Sequence, residues 1–147
     1  MILNEKTKND LFYLCSLIEY IGRKTSNSRR YVVEKMGEQG IAHELEFADI
    51  NHCLSFEQVS EELIEQYGIE NGSEYQDFRY KVPTVQSIGR VYQKLICDVI
   101  EDDNIPGTVK NVFSSYLSDE ISYFDSSVYY RNPDYLKWSY LEGKLLA

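Results

Sequence analysis

The stretch Asn9–Gly40 constrains what this 147-residue chain can fold into more than any other. Its first half places Leu11, Leu14, Cys15, Ile18 and Ile21 three or four residues apart, with Phe12 and Leu17 beside them. That spacing marks a wide buried stripe on a helix. Gly22 to Ser28 interrupts it with Gly, Thr, Ser and Asn, residues of turns and caps. Val32, Val33 and Met36 then resume the pattern until Gly37 and Gly40, which suit a helix end. The prediction is a helix hairpin over 10–40 whose apolar faces the remaining elements cover.

The rest of the chain extends this pattern. Ile41, Leu45, Ala48 and Cys53 predict a third helix over 41–54. Ser55-Phe56-Glu57-Gln58 has the form of a capping box, in which the hydroxyl and the Gln58 amide satisfy each other's free backbone donors. Phe56, Val59, Leu63 and Tyr67 continue that fourth helix to Gly68. Residues 69–83 are irregular. Gln76, Phe78, Tyr80 and Val82 alternate with polar neighbours, which predicts a short extended segment over 75–82, stopped by Pro83. Helical spacing returns with Val85, Ile88, Tyr92, Leu95 and Val99, and again with Val109, Val112, Phe113, Tyr116 and Leu117. Asn132-Pro133, an N-cap followed by Pro at the first helical position, opens a last helix through Leu136, Tyr140 and Leu145. The fold expected is all-α: one domain, a bundle of six or seven helices, with its C-terminal helices over 84–147.

Composition narrows the setting. An apolar fraction of 43% and a charged fraction of 27% belong to a globular chain. No apolar run approaches the ~20 residues that span a bilayer, and the N-terminus lacks a signal-peptide core. The expected location is the cytoplasm. Cys15, Cys53 and Cys97 are odd in number and widely spaced, so they read as reduced core side chains. More than half of the 13 tyrosines lie beyond Lys81, and their rings are expected at the edge of the core.

Residues within 10–54 carry a family resemblance. Cys15, Ile18-Glu19-Tyr20, the polar turn, the Val32-Val33 pair and Gly40-Ile41 resemble a family of small bacterial helical proteins of unknown function. Members are often encoded beside ADP-ribosyltransferase-like toxins. The resemblance implies an antitoxin or accessory role, with a toxin as partner, and covers about a third of the chain.

Charge is distributed unevenly. The net charge is −9, yet residues 1–40 carry seven basic and five acidic side chains, while residues 41–78 carry ten acidic ones and no Lys or Arg. Glu57, Glu61 and Glu65 fall at i, i+4 and i+8, one stripe on the fourth helix. With Tyr75, Phe78 and Tyr80 as apolar anchors, they form the expected surface for a basic partner protein. Two alternatives stand beside this one. Arg23, Lys24, Arg29, Arg30 and Lys35 surround the hairpin turn, where a helix-turn-helix protein would present them to DNA, although the acidity elsewhere opposes phosphate. The acidic block would equally suit an inhibitor or mimic that acts on a nucleic-acid-binding protein.

Catalytic patterns are weak. His43, Asp49, His52 and Cys53 match no recurrent zinc spacing. Glu44-Leu45-Glu46 resembles the acidic pair of ADP-ribosyltransferases, but those enzymes hold such residues on a sheet that this chain does not encode. Neither histidine has an arginine at the helical-ribonuclease spacing, and no Gly-rich phosphate loop or activated cysteine is present. The expectation is a non-enzymatic binding module without cofactor or metal.

Overall fold

The computed structural model describes residues 2–74, 78, 79 and 81–147. Among them the chain is all-α: α1 (Glu5–Thr25), α2 (Arg29–Glu46), α3 (Ala48–Asn51), α4 (Phe56–Gln66), α5 (Val85–Val99), α6 (Ile105–Phe113), α7 (Tyr116–Ser122) and α8 (Pro133–Glu142). A 3₁₀ turn at Val128–Tyr130 precedes α8. Short polar side chains set the helix starts. Asn4, Ser28, Ser55, Thr84, Asn104 and Asn132 each accept a bond from a first-turn N–H. No helix among the described residues is long and apolar enough to cross a membrane.

α1 lies at the centre, packing most extensively on α5 and also on α2 and α4, while α6 covers α2 and α8 covers α5. The whole predicted stripe of α1 is buried, from Leu11 through Ile21, with only Phe12 partly open. One apolar cluster joins it to Val32 and Val33 of α2, Ile88 and Tyr92 of α5, and Val112 and Phe113 of α6. Tyr92 stacks on Phe113 with ring centroids 4.0 Å apart, and its hydroxyl meets Ser118 Oγ of α7 at 2.7 Å. The buried phenol thus keeps a polar partner, which its burial requires.

Several boundaries differ from the sequence reading. α2 breaks at Gly37, as expected of a glycine there, but not at Gly40. Gly37 leaves helical geometry (φ 70°, ψ 171°), a kink that glycine tolerates, and helix resumes through Gly40 to Glu46. Gly40 is buried because the Tyr67 ring lies against it: a Cβ there would sit 2.8 Å from Tyr67 Cε1. The Tyr67 hydroxyl then donates to the buried Glu44 at 2.6 Å, tying the end of α4 to α2. The third helix expected over 41–54 is therefore divided, its first six residues completing α2 and α3 remaining as a single turn. The helical spacing from Val109 to Leu117 breaks at Ser114-Ser115 into α6 and α7.

The extended segment expected over 75–82 is not a strand among the described residues, and Tyr75, Gln76 and Tyr80 lie outside them. What precedes it is strapped to the hairpin turn. Gly72 N–H donates to Thr25 O at 2.7 Å, Glu74 N–H donates to Ser26 O at 2.8 Å, and Asn27 Nδ2 donates to Glu70 O at 2.7 Å. The backbone donors of this segment find partners in a turn, so no neighbouring strand is required.

α1 and α5 approach closely at Gly89. A Cβ there would collide with Ser16 Oγ and come within 3.0 Å of the Ser16 Cβ and backbone N. Gly89→Ala is expected to lower stability by about 1–3 kcal/mol through forced separation of the helices. Intrinsic helix propensity alone would give a gain of about 1 kcal/mol. Denaturant unfolding checks the sign, and a more stable Gly89→Ala protein would show that the contact has slack.

Candidate functional site

The hairpin turn is built around a carboxylate. Glu19 sits on the buried side of α1, fully excluded from solvent. It accepts from Arg23 Nε at 2.7 Å, one turn along the same helix. It also accepts from Arg29 Nε at 2.8 Å and Arg29 Nη2 at 2.6 Å, a bidentate pair from the start of α2. Arg29 Nη1 donates to Asn27 O at 3.0 Å. The route of Arg29 across the end of α1 depends on Gly22, since a Cβ there would lie 2.6 Å from Arg29 Cδ. Burial alone pushes the Glu19 carboxyl up, but Arg29 and Arg23 outweigh it and hold the group below the ordinary carboxylate range.

Ser26 closes α1 in the left-handed region (φ 56°), the single non-glycine residue with positive φ among those described. Ser26 N–H donates to Arg23 O and Asn27 N–H to Gly22 O, a Schellman arrangement with serine where glycine is usual. The left-handed residue costs about 1–2 kcal/mol. The reversal it produces brings Arg23 and Arg29 onto the same carboxylate.

This arrangement decides where the predicted nucleic-acid-binding residues stand. Arg29 is nine-tenths buried and engaged with Glu19, and Arg23 gives its Nε to the same group. Lys24 turns to α4, meeting Ser60 Oγ at 3.3 Å and Glu61 at 3.8 Å. Arg30 pairs with Asp119 of α7 at 2.9 Å. Lys35 is exposed, its Nζ 5.8 Å from the Tyr31 ring centroid, between the exposed Glu34 and Glu38 of the same helix. The five cations are therefore not a common exposed face, and four of them serve contacts inside the chain.

The predicted partner-binding residues are also separated. Glu57, Glu61 and Glu65 are all exposed on α4, with Glu61 beside Lys24. Phe78 is not a free anchor: it is half-buried, its ring 5.1 Å from Phe124 and 6.3 Å from Tyr123. Tyr75 and Tyr80 lie outside the described residues. The apolar side chains that do stand open near α4 belong to α3 and its flanks: Phe47 (36% exposed), Ile50 (62%) and Leu54 (39%). They follow one another at i, i+3 and i+7, beside the exposed acids Glu46, Asp49 and Glu57. The sequence carried a signal for them, since Phe47 and Ile50 fall outside the face defined by Ile41, Leu45 and Ala48.

Cys53 is exposed rather than in the core, with its Sγ 3.5 Å from His52 Nδ1, while Cys15 is buried and Cys97 half-buried. His43 turns to Glu44 at 2.8 Å. Among the described residues no group of three or more His, Cys, Asp or Glu side chains converges as a metal site.

Between the hairpin turn, α7 and the segment entering α5 lies a cavity of about 550 Å³. Arg23, Arg29 and Arg30 line it together with Ser28, Phe78 and Phe124, and Glu74 and Asp119 also reach it. Comparison with protein families, curated proteins and solved structures gives no match that assigns the chain to a family or a relative.

The buried cluster predicts an asymmetric response to mutation. Glu19→Ala leaves two guanidiniums without their shared carboxylate and is expected to cost about 3–5 kcal/mol. Glu19→Ala combined with Arg29→Met should cost less than the sum of the two single changes. Because the folded-state pKa of Glu19 is depressed, its contribution is present above the unfolded value of about 4.3 and is lost as pH falls through the folded value. Urea unfolding from neutral to acid pH tests this. An acid limb as steep in Glu19→Gln as in the wild type would assign acid sensitivity to other carboxylates.

Proposed function

We propose that the protein is a non-enzymatic binding module whose α3–α4 surface occupies a partner protein with a basic, apolar-centred face. One observation carries the reading: Phe47, Ile50 and Leu54 stand exposed on α3 and its flanks inside a stretch, residues 41–78, that has no Lys or Arg. Single exposed apolar residues are ordinary, whereas three within eight residues with acidic neighbours have the composition of an interface centre and rim. The Glu57 and Glu65 carboxylates would steer a cationic partner, and the apolar trio would hold it. The earlier anchor assignment to Phe78 moves to this trio, because Phe78 already packs inside the molecule. The resemblance of residues 10–54 to small bacterial helical proteins of unknown function, often encoded beside ADP-ribosyltransferase-like toxins, implies the same role, with a toxin as the partner. The DNA reading loses support, because Arg23 and Arg29 already serve Glu19.

Kinetics separate the two parts of the surface. A partner captured from cells and identified is immobilised, and binding is followed by interferometry across salt concentrations. Glu57→Lys with Glu65→Lys is expected to slow association on the order of tenfold at low salt and to leave release unchanged. These positions are chosen over Glu61, which neighbours Lys24. Ile50→Ser with Leu54→Ser is expected to speed release by roughly tenfold or more. Unchanged association and release in both variants, with helical content intact, would remove α3–α4 as the interface.

A further inference from the structure

The cavity beside the hairpin turn shares no lining residue with α3 or α4, and its chemistry is different. Two guanidiniums, Arg23 and Arg29, share the single carboxylate of Glu19. Arg29 engages all three of its nitrogens: its Nε and Nη2 bond Glu19, and its Nη1 bonds Asn27 O. Among the described residues Arg23 gives only its Nε, and its enclosed Nη2 has no hydrogen-bond partner. The surplus positive charge of the trio therefore rests on Arg23, whose side chain lines the cavity and is 28% exposed. An anion entering the cavity would meet the accessible part of this guanidinium and offset its charge.

The surroundings define what kind of anion fits. Arg30 stands at the mouth, with one Nη on Asp119 at 2.9 Å, and is about two-fifths exposed. The start of α2 also faces the cavity. Its first intrahelical bond runs from Val32 N–H to Ser28 O, so the amides of Arg29 and Arg30 precede the ladder and favour negative charge. Glu74 and Asp119 disfavour a highly charged guest, which points to one anionic group and not a polyphosphate. The opposite wall is apolar. The Phe78 and Phe124 rings lie 5.1 Å apart, and the Arg23 guanidinium sits 5.3 Å from the Phe124 centroid. A bare ion would leave that wall wet, and the volume is within the range of small-molecule sites, roughly 300–1,000 Å³.

We infer that this cavity binds a small organic anion, a single carboxylate or phosphate ester on a flat apolar body. The anionic group sits against Arg23 and Arg30, and the body lies against Phe78 and Phe124.

Isothermal titration of the full chain with four probes tests this: benzoate, phenyl phosphate, inorganic phosphate and benzyl alcohol. The expected result is binding of benzoate, phenyl phosphate or both, at least about tenfold tighter than inorganic phosphate, with no heat from benzyl alcohol. Which of the two binds tells whether the group is a carboxylate or a phosphate ester. Arg23→Gln should abolish binding. Since Arg23 also supports Glu19 and its loss can disturb folding, Arg30→Gln at the exposed mouth provides the second variant. It is expected to weaken binding by roughly tenfold with the helical spectrum unchanged. Absence of binding by both aromatic anions overturns the inference. So does inorganic phosphate binding as tightly as phenyl phosphate, or affinity unchanged in folded Arg30→Gln.

Discussion

A carboxylate with no solvent exposure, Glu19, is the constraint on which the rest of the arrangement depends. An isolated buried carboxylate would neutralise or unfold the helix that carries it. Here Arg23 and Arg29 supply three charge-assisted bonds, and the second arginine comes from another helix. The pairing therefore fixes how α2 leaves α1, as well as keeping the charge tolerable. Gly22 must lack a side chain for Arg29 to pass, and Ser26 must adopt a left-handed conformation for the chain to reverse there. A buried ion pair of this kind is weak evidence for net stability, since apolar residues can fill the same volume. Its effect is geometric: it specifies one turn out of many that an apolar stripe alone would allow.

The turn in turn organises what lies next to it. The segment 70–74 finds its backbone partners on Thr25, Ser26 and Asn27, so the irregular part of the chain is anchored without a sheet. Lys24 joins α4 and Arg30 joins α7, which places the basic residues between elements instead of on a shared outer face. The acidic α4 and the apolar flank of α3 remain open, in a stretch of sequence that holds no Lys or Arg. The cavity beside Arg23 is the counterpart, a place where a positive charge stays inside and incompletely satisfied. These two features call on different physics, long-range attraction at a surface and desolvated hydrogen bonding in a cavity.

Much of the fold was legible because helical periodicity and capping are local. Leu11 through Ile21, Ile88 through Val99 and the Asn132-Pro133 start all lie where their spacing placed them. The chain does leave the helix at Gly37, but Gly40 misled for a definite reason. Glycine marks a helix end only when the chain leaves the helix there, and Tyr67, distant in sequence, instead demands a small residue at Gly40. Cys53 reads as core beside Leu54, yet the single turn of α3 leaves both open. Phe78 reads as an available aromatic until Phe124, forty-six residues later, covers it. Glu19 had a signal that was not used: an acid within the apolar stripe of α1, with Arg23 four residues on.

The sequence by itself determined the all-α class, the helix starts, the stripe that makes α1 central, and the cation-free stretch 41–78. Each depends on residues within a few positions of one another, where backbone geometry converts spacing into a face. Tertiary structure alone decided which charges are spent and which are free. Arg29 and Arg30 are adjacent in the chain, yet one is buried on Glu19 and the other stands at a cavity mouth on Asp119. Charge is a property of the residue, whereas availability depends on the partner that folding brings within about 3 Å.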